Sequence, residues 1–142
     1  MATDRQSVWI RQLSNPRASH CTLVAENGDV LVGFAHTVLD EDPTWGALLD
    51  NLHVAFALKR NRIGSSLLEA TARTVAARAP DSGLYLWVLE QNASAQAFYE
   101  ARGGKRVGRR LVSPPGGDPS RLSGAPSAFR YAWSDPSALL IV

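Results

Sequence analysis

The chain has 142 residues, 45% of them apolar and 20% charged, which is the size and composition of one compact domain with a core of its own. No apolar run approaches the roughly 18 residues of a membrane-spanning helix, and a formal net charge of +2 is too small to point to nucleic acid by itself. The polar start Met-Ala-Thr-Asp-Arg-Gln-Ser and the single Cys21, which has no internal disulfide partner, predict a reducing, cytoplasmic setting.

In chain order, Ser7 to Leu13 reads as a short helix with Val8, Trp9 and Leu13 on one side, ended by Asn15-Pro16. Cys21 to Ala25 reads as a strand, with Cys21 a small apolar strand residue rather than a reactive thiol. Glu26-Asn27-Gly28-Asp29 is a hairpin turn, and Val30 to Val38 the returning strand. Asp40 to Thr44 is an acidic loop, and Ala47 to Val54 a third strand.

A helical pattern runs from Ser65 to Arg78, with Leu68, Ala72, Val75 and Ala79 on one stripe, and Pro80-Asp81-Ser82-Gly83 stops it. Leu84 to Leu89 is nearly all apolar, as a strand buried on both faces should be. Asn92 or Ser94 caps a second helix that runs to about Arg102, ended by Gly103-Gly104. Arg106 to Val112 is a strand, Ser113 to Ser127 a long Pro/Gly-rich loop, and Phe129 to Trp133 a last strand before the apolar tail Leu139 to Val142. The order β-β-β-α-β-α-β-β, without repeat or second domain, makes residues 1–142 a single α/β domain.

Two stretches carry chemistry. In the first, the apolar strand ending at Val54 gives way to Lys59, Arg60, Asn61 and Arg62, and a helix opens at Ile63-Gly64. The first N–H groups of a helix lack internal partners and sit at the positive end of its dipole, so a basic turn there is an anion-binding device. The same four residues also fit a plain solvated loop. The second stretch is Asn92-Ala93-Ser94-Ala95-Gln96-Ala97-Phe98-Tyr99-Glu100-Ala101-Arg102-Gly103-Gly104. Taken singly, its members fit a helix cap and two core aromatics.

Together the two stretches resemble the GNAT superfamily of N-acetyltransferases. Aligned on Ile63-Gly64, Lys59 stands where the signature Gln/Arg-x-x-Gly-x-Gly/Ala has Gln or Arg, and Arg62 where it has its first glycine. Gly64 stands at the second, and Asn92, Ala95, Phe98, Tyr99 and Gly103 follow the downstream pattern. The resemblance covers roughly Leu23 to Val112. It implies an α/β (α+β) fold with a mixed, mostly antiparallel twisted sheet of about six strands and helices on both faces. The fold is N-terminally shortened, because only about 20 residues precede the hairpin where the family has a strand and two helices.

The resemblance also implies transfer of acetyl from acetyl-CoA to a primary amine of a small-molecule or amino-acid-like acceptor by direct attack. Backbone groups at Leu52 and Val54 would face the acetyl and pantetheine. Lys59, Arg60, Asn61, Arg62, Ile63, Gly64 and Ser65 would hold the pyrophosphate, and Asn92 the pantetheine arm. Tyr99 would be the general acid, since a phenol of pKa near ~10 is protonated at neutral pH. Asp50 is the candidate base, with His53 and Glu90 as rivals. Strand alternation puts Asp50, Leu52 and Val54 on one face and His53 on the other. No metal is expected, and a homodimer is the assembly the family suggests. A non-catalytic module binding coenzyme A or a partner is the alternative, favoured by Arg62 at a glycine position and by the short N-terminal region. Arg102, Lys105, Arg106, Arg109 and Arg110 read as a solvated strand edge, with no aromatic interleaving of the kind nucleic-acid binders use.

Overall fold

Val8–Leu13 form a strand, β1, and not the predicted short helix. Val8, Trp9 and Ile10 favour a pleated surface, and antiparallel pairing with β2 (His20–Asn27), from Val8↔Asn27 to Leu13↔Thr22, decides the conformation against a weak local pattern. The computed structural model describes residues 8–14, 18–54, 62–111 and 127–140. Strand β3 (Val30–Asp42) returns from β2 through a turn whose first central residue, Gly28, has φ 61, as a tight hairpin of this kind requires. It continues three residues, Asp40 to Asp42, into the stretch predicted as loop. The carboxylate of Asp42 then closes the turn by accepting hydrogen bonds from the backbone N–H groups of Thr44 (2.8 Å) and Trp45 (2.9 Å).

Strand β4 (Gly46–Val54) leads towards helix α1 (Ile63–Arg78), strand β5 (Leu84–Leu89), helix α2 (Ala93–Ala101), strand β6 (Lys105–Leu111) and strand β7 (Ser127–Trp133). A 3-10 turn, Pro136–Leu140, closes the described chain. The sheet has seven strands in the order β1-β2-β3-β4-β5-β7-β6, one more than the six or so expected, because β1 is a strand. Every pairing is antiparallel except that of β4 with β5. The fold class is therefore the mixed, mostly antiparallel α+β sheet that the resemblance implies.

The expectation of helices on both faces is corrected. Helix α1 packs Ile63, Leu67, Leu68, Ala72 and Val75 on Cys21, Leu23, Ala25 and Ala35. Helix α2 joins the same core through Tyr99, against Tyr131 and Trp133. Both helices are crossovers between parallel strands, β4 to β5 and β5 to β6, and both crossovers step the same way across the sheet. Right-handed crossovers then put both helices on one face. Six residues, 14–19, separate β1 from β2, so the chain has no room there for the two helices the family places at that point. Leu139 from the apolar tail is buried in the core beside α1.

Candidate active site

Strands β4 and β5 pair only at Ala47↔Leu84 and Leu48↔Tyr85, then diverge. The divergence opens a cleft of about 480 Å³, within the range of ordinary small-molecule sites. It is lined by Leu49 to Leu52 and Val54 of β4, by Leu86 to Leu89 of β5, by Gly64 of α1, and by Asn92, Ser94, Ala95, Phe98 and Tyr99 at α2. Past Leu48 and Tyr85 neither strand has a sheet partner on the side facing the gap, so backbone donors and acceptors border it.

A β-bulge shapes the β4 wall. His36 pairs with Asn51 but Thr37 pairs with Leu49, leaving Asp50 as the extra residue. This corrects the expected alternation of Asp50 with Leu52 and Val54: the bulge frees Asp50 from that face and presents it, exposed, at the cleft. Leu52 is half-buried and Val54 buried on the helical side, and both line the cleft. The rival bases lie elsewhere. His53 is exposed and stacks beside Phe34, with ring centroids 5.7 Å apart. Glu90 is 3.5 Å from the guanidinium of Arg109. His36 is held locally, its ring nitrogens 3.0 Å from His20 Nδ1 and 2.7 Å from Thr22 Oγ1.

Helix α1 opens on the cleft without a side-chain cap. Its N-cap is Arg62, in the left-handed conformation (φ 64, ψ 12), and no acidic residue occupies the first turn. The first intrahelical bond runs from Ser66 N–H to Arg62 C=O, so the N–H groups of Ile63, Gly64 and Ser65 have no acceptor within the helix. They face outward at the positive end of the dipole. Gly64 leaves room for Phe98, whose ring lies 3.5 Å from where a Cβ would stand. Lys59, Arg60 and Asn61 lie outside the described residues.

Arg102, expected on a solvated strand edge, is instead the C-cap of α2. Its guanidinium lies 3.9 Å over the Phe98 ring, donates to Phe98 C=O (3.1 Å), and donates from Nε to Ser65 Oγ (3.0 Å). It thus ties the end of α2 to the first turn of α1 and adds a cation beside those N–H groups. The spacing of Phe98 and Arg102, one helical turn, was the available signal. Ser65, expected to meet an anion through its backbone N–H, uses its side chain for this tie.

Asn92 caps α2, its Oδ1 accepting from Ala95 N–H (3.1 Å) and Ser94 Oγ (3.3 Å), which leaves its amide N–H donors for the cleft it lines. Tyr99 is the one buried residue of α2, packed edge-on to Trp133 with centroids 6.1 Å apart. Burial pushes its phenol up to about 12, since the charged form is poorly solvated there. Among the described residues its hydroxyl makes no hydrogen bond. Strand β6 is the sheet edge, as its cations predicted. The expected lack of aromatic interleaving does not hold in three dimensions: Arg106 lies 4.0 Å from the Phe129 ring centre and Arg110 4.0 Å from that of Trp87.

The sequence matches the profile of the Acetyltransferase (GNAT) family across residues 2–112. The chain belongs to the GNAT family. A comparison with curated proteins gives no match. Solved structures share the fold. One is the IAA acetyltransferase from Bacillus cereus, with TM-score 0.71 and 17% identity over 89% of this chain and 98% of that one. Another is a Bacillus anthracis protein assigned as a streptothricin acetyltransferase, in complex with acetyl coenzyme A, with TM-score 0.69 and 18% identity over 83% of this chain. The present chain spans only 64% of that protein's length. The ribosomal-protein-S18-alanine N-acetyltransferase from Escherichia coli is 25% identical, with TM-score 0.64, over 92% of this chain and 82% of its own.

Proposed function

We propose that this chain transfers the acetyl group of acetyl-CoA to a primary amine of a small-molecule or amino-acid-like acceptor by direct attack. The observation that carries the reading is the gap between β4 and β5 beside the uncapped start of α1. Such a gap seats an extended thioester arm against backbone donors, while the helix end holds a pyrophosphate. The N–H groups of Ile63, Gly64 and Ser65, with Arg62, form the described part of the cradle, and Lys59, Arg60 and Asn61 would complete it. The Bacillus anthracis protein, bound to acetyl coenzyme A, supports the choice of donor.

In the proposed chemistry, Asp50 takes a proton from the acceptor ammonium through water. The amine nitrogen then attacks the thioester carbonyl, backbone N–H groups at Leu52 and Val54 stabilise the oxyanion, and the C–S bond breaks. Tyr99, protonated across the physiological range, donates to the leaving sulfur. Residues 1–142 act here as one domain. A cytoplasmic location fits the free, buried Cys21, and among the described residues no helix is long and apolar enough to cross a membrane. A homodimer would show by light scattering as twice the 15.3 kDa chain mass.

One observation favours a second reading, a non-catalytic module binding coenzyme A: Arg62 brings a long side chain to the place where the family's glycine lets the pyrophosphate approach. Calorimetric titration with acetyl-CoA, followed by thiol release over an amine library, tests both. Binding with release for at least one amine supports the enzyme; binding without release for any supports the module; no binding refutes both.

A further inference from the structure

The face of the sheet opposite the helices carries a cluster that the chemistry above does not use. Trp87 of β5 projects to that face and also borders the cleft. Two cations lie over its ring, Arg110 of β6 at 4.0 Å and Arg130 of β7 at 4.5 Å from the centroid. Arg130 also lies 5.2 Å from the Trp45 ring and 5.3 Å from that of Tyr85. Its Nε is buried and, among the described residues, has no hydrogen-bond partner. The nearby Asp42 spends its Oδ1 on the N–H groups of Thr44 and Trp45.

Two like charges against one ring repel, and a ring face attracts a cation without neutralising it. A buried, unpartnered guanidinium N–H is costly until an acceptor meets it. The aromatic rings take the faces of the guanidinium groups and leave their in-plane N–H forks, whose spacing matches a carboxylate. That fork sits one strand from the β5 wall of the cleft, about 5 Å in a sheet, within the span of a small amino acid.

We infer that Arg130 and Arg110, set on Trp87, hold a carboxylate carried by the acceptor, so that the acceptor class is amines bearing a carboxylate. The inference rests on the acetyl-transfer reading and deepens it. Asp50 and Asn51 border the amine end of the cleft and Arg130 anchors the acid end.

The test pairs acids with their neutral twins: glycine, β-alanine, 4-aminobutyrate and the standard α-amino acids against the corresponding carboxamides, with O-phosphoethanolamine included. In the full chain, the best acid is expected to exceed its amide in kcat/KM by about tenfold to a hundredfold, the range of a charge-assisted hydrogen-bond pair. Arg130→Gln should collapse that ratio towards one while leaving acetyl-CoA affinity unchanged, and the exposed Arg110→Gln should lower it in the same direction. Amides used as well as acids, a ratio unmoved in both variants, or O-phosphoethanolamine outrunning β-alanine would overturn the carboxylate seat while acetyl transfer stands. Absence of acetyl-CoA binding would overturn acetyl transfer instead. The seat is then judged by tryptophan fluorescence titrated with the same acids and amides. A response to acids alone that Trp87→Phe abolishes supports it, and no difference between acid and amide refutes it.

Discussion

Arg62 is the residue on which the proposed anion site turns. Its backbone is left-handed, with φ 64, where an L side chain meets the following carbonyl at a cost of roughly 1–2 kcal/mol. Arg62→Gly removes that cost but gives the unfolded chain more freedom, which offsets about 0.5–1 kcal/mol. The net gain is about 1 kcal/mol, or a rise of about 3–4 °C in melting temperature for a domain of this size. Arg62→Asn tolerates the same conformation and should gain about half as much. Differential scanning calorimetry of the unliganded chain reads both, and melting temperatures unchanged or lowered in both variants would refute a strained left-handed cap.

Acetyl-CoA affinity separates the two remaining roles of the residue. If the guanidinium grips phosphate, both variants weaken binding several-fold, as loss of a charge-assisted contact should. If the side chain only obstructs the backbone, Arg62→Gly tightens binding and Arg62→Asn does not. A gain in stability accompanied by a loss of affinity would mark Arg62 as strained in exchange for a ligand contact.

Tyr99→Phe should lower kcat by about a hundredfold or more and leave acetyl-CoA affinity near its original value, as removal of a general acid does; unchanged single-turnover rates would exclude the role. The same phenol sets an alkaline limit on stability. Its folded pKa of about 12 exceeds the unfolded value near ~10, so its contribution is complete below pH 10 and is lost as pH rises towards 12. Urea unfolding at pH 9 and pH 11.5 should show a Tyr99-dependent loss of at most about 2–3 kcal/mol that is missing in Tyr99→Phe. Gly33→Ala would place a Cβ 2.8 Å from His53 C=O and 3.1 Å from Leu67 Cδ1, forcing β4 or α1 to shift at about 1–3 kcal/mol, and an unchanged melting temperature would contradict that contact.

Local chemistry made much of this fold legible in advance. The hairpin turn within Glu26 to Asp29, the apolar run Leu84 to Leu89, the Asn92 cap and the stripe Leu68, Ala72, Val75 each depend on residues a few positions apart, and each appears in the structure. What escaped depends on distant partners. β1 is a strand because β2 offers it an edge, and Asp50 leaves its face because β3 and β4 pair with one residue to spare. The arginines of β6 are exposed on the edge as expected, but the rings that Arg106 and Arg110 meet belong to β7 and β5, and nothing in the order of residues announces that register.

The same topology explains how one gap can serve two ligands. A continuous sheet has two faces that share nothing, but where β4 and β5 part, the opening is lined by Leu52, Val54 and Leu86 from the helical face and by Trp87 and Leu89 from the other. Both helices crowd the first face, and they bring there the only uncapped helix start and the buried phenol of Tyr99 among the described residues. A bulky anionic donor is therefore best served from that side. The opposite face keeps Arg130 and Arg110, within two strands of the opening, and in the described residues no helix covers them. A nucleophile must approach a thioester carbonyl across its plane, away from the backbone donors that hold the oxygen. In the proposed arrangement, entry from the open face meets that requirement. On the proposed reading, the six-residue link between β1 and β2 leaves no helix over that face among the described residues, and strand residues rather than helices become the determinants of acceptor choice.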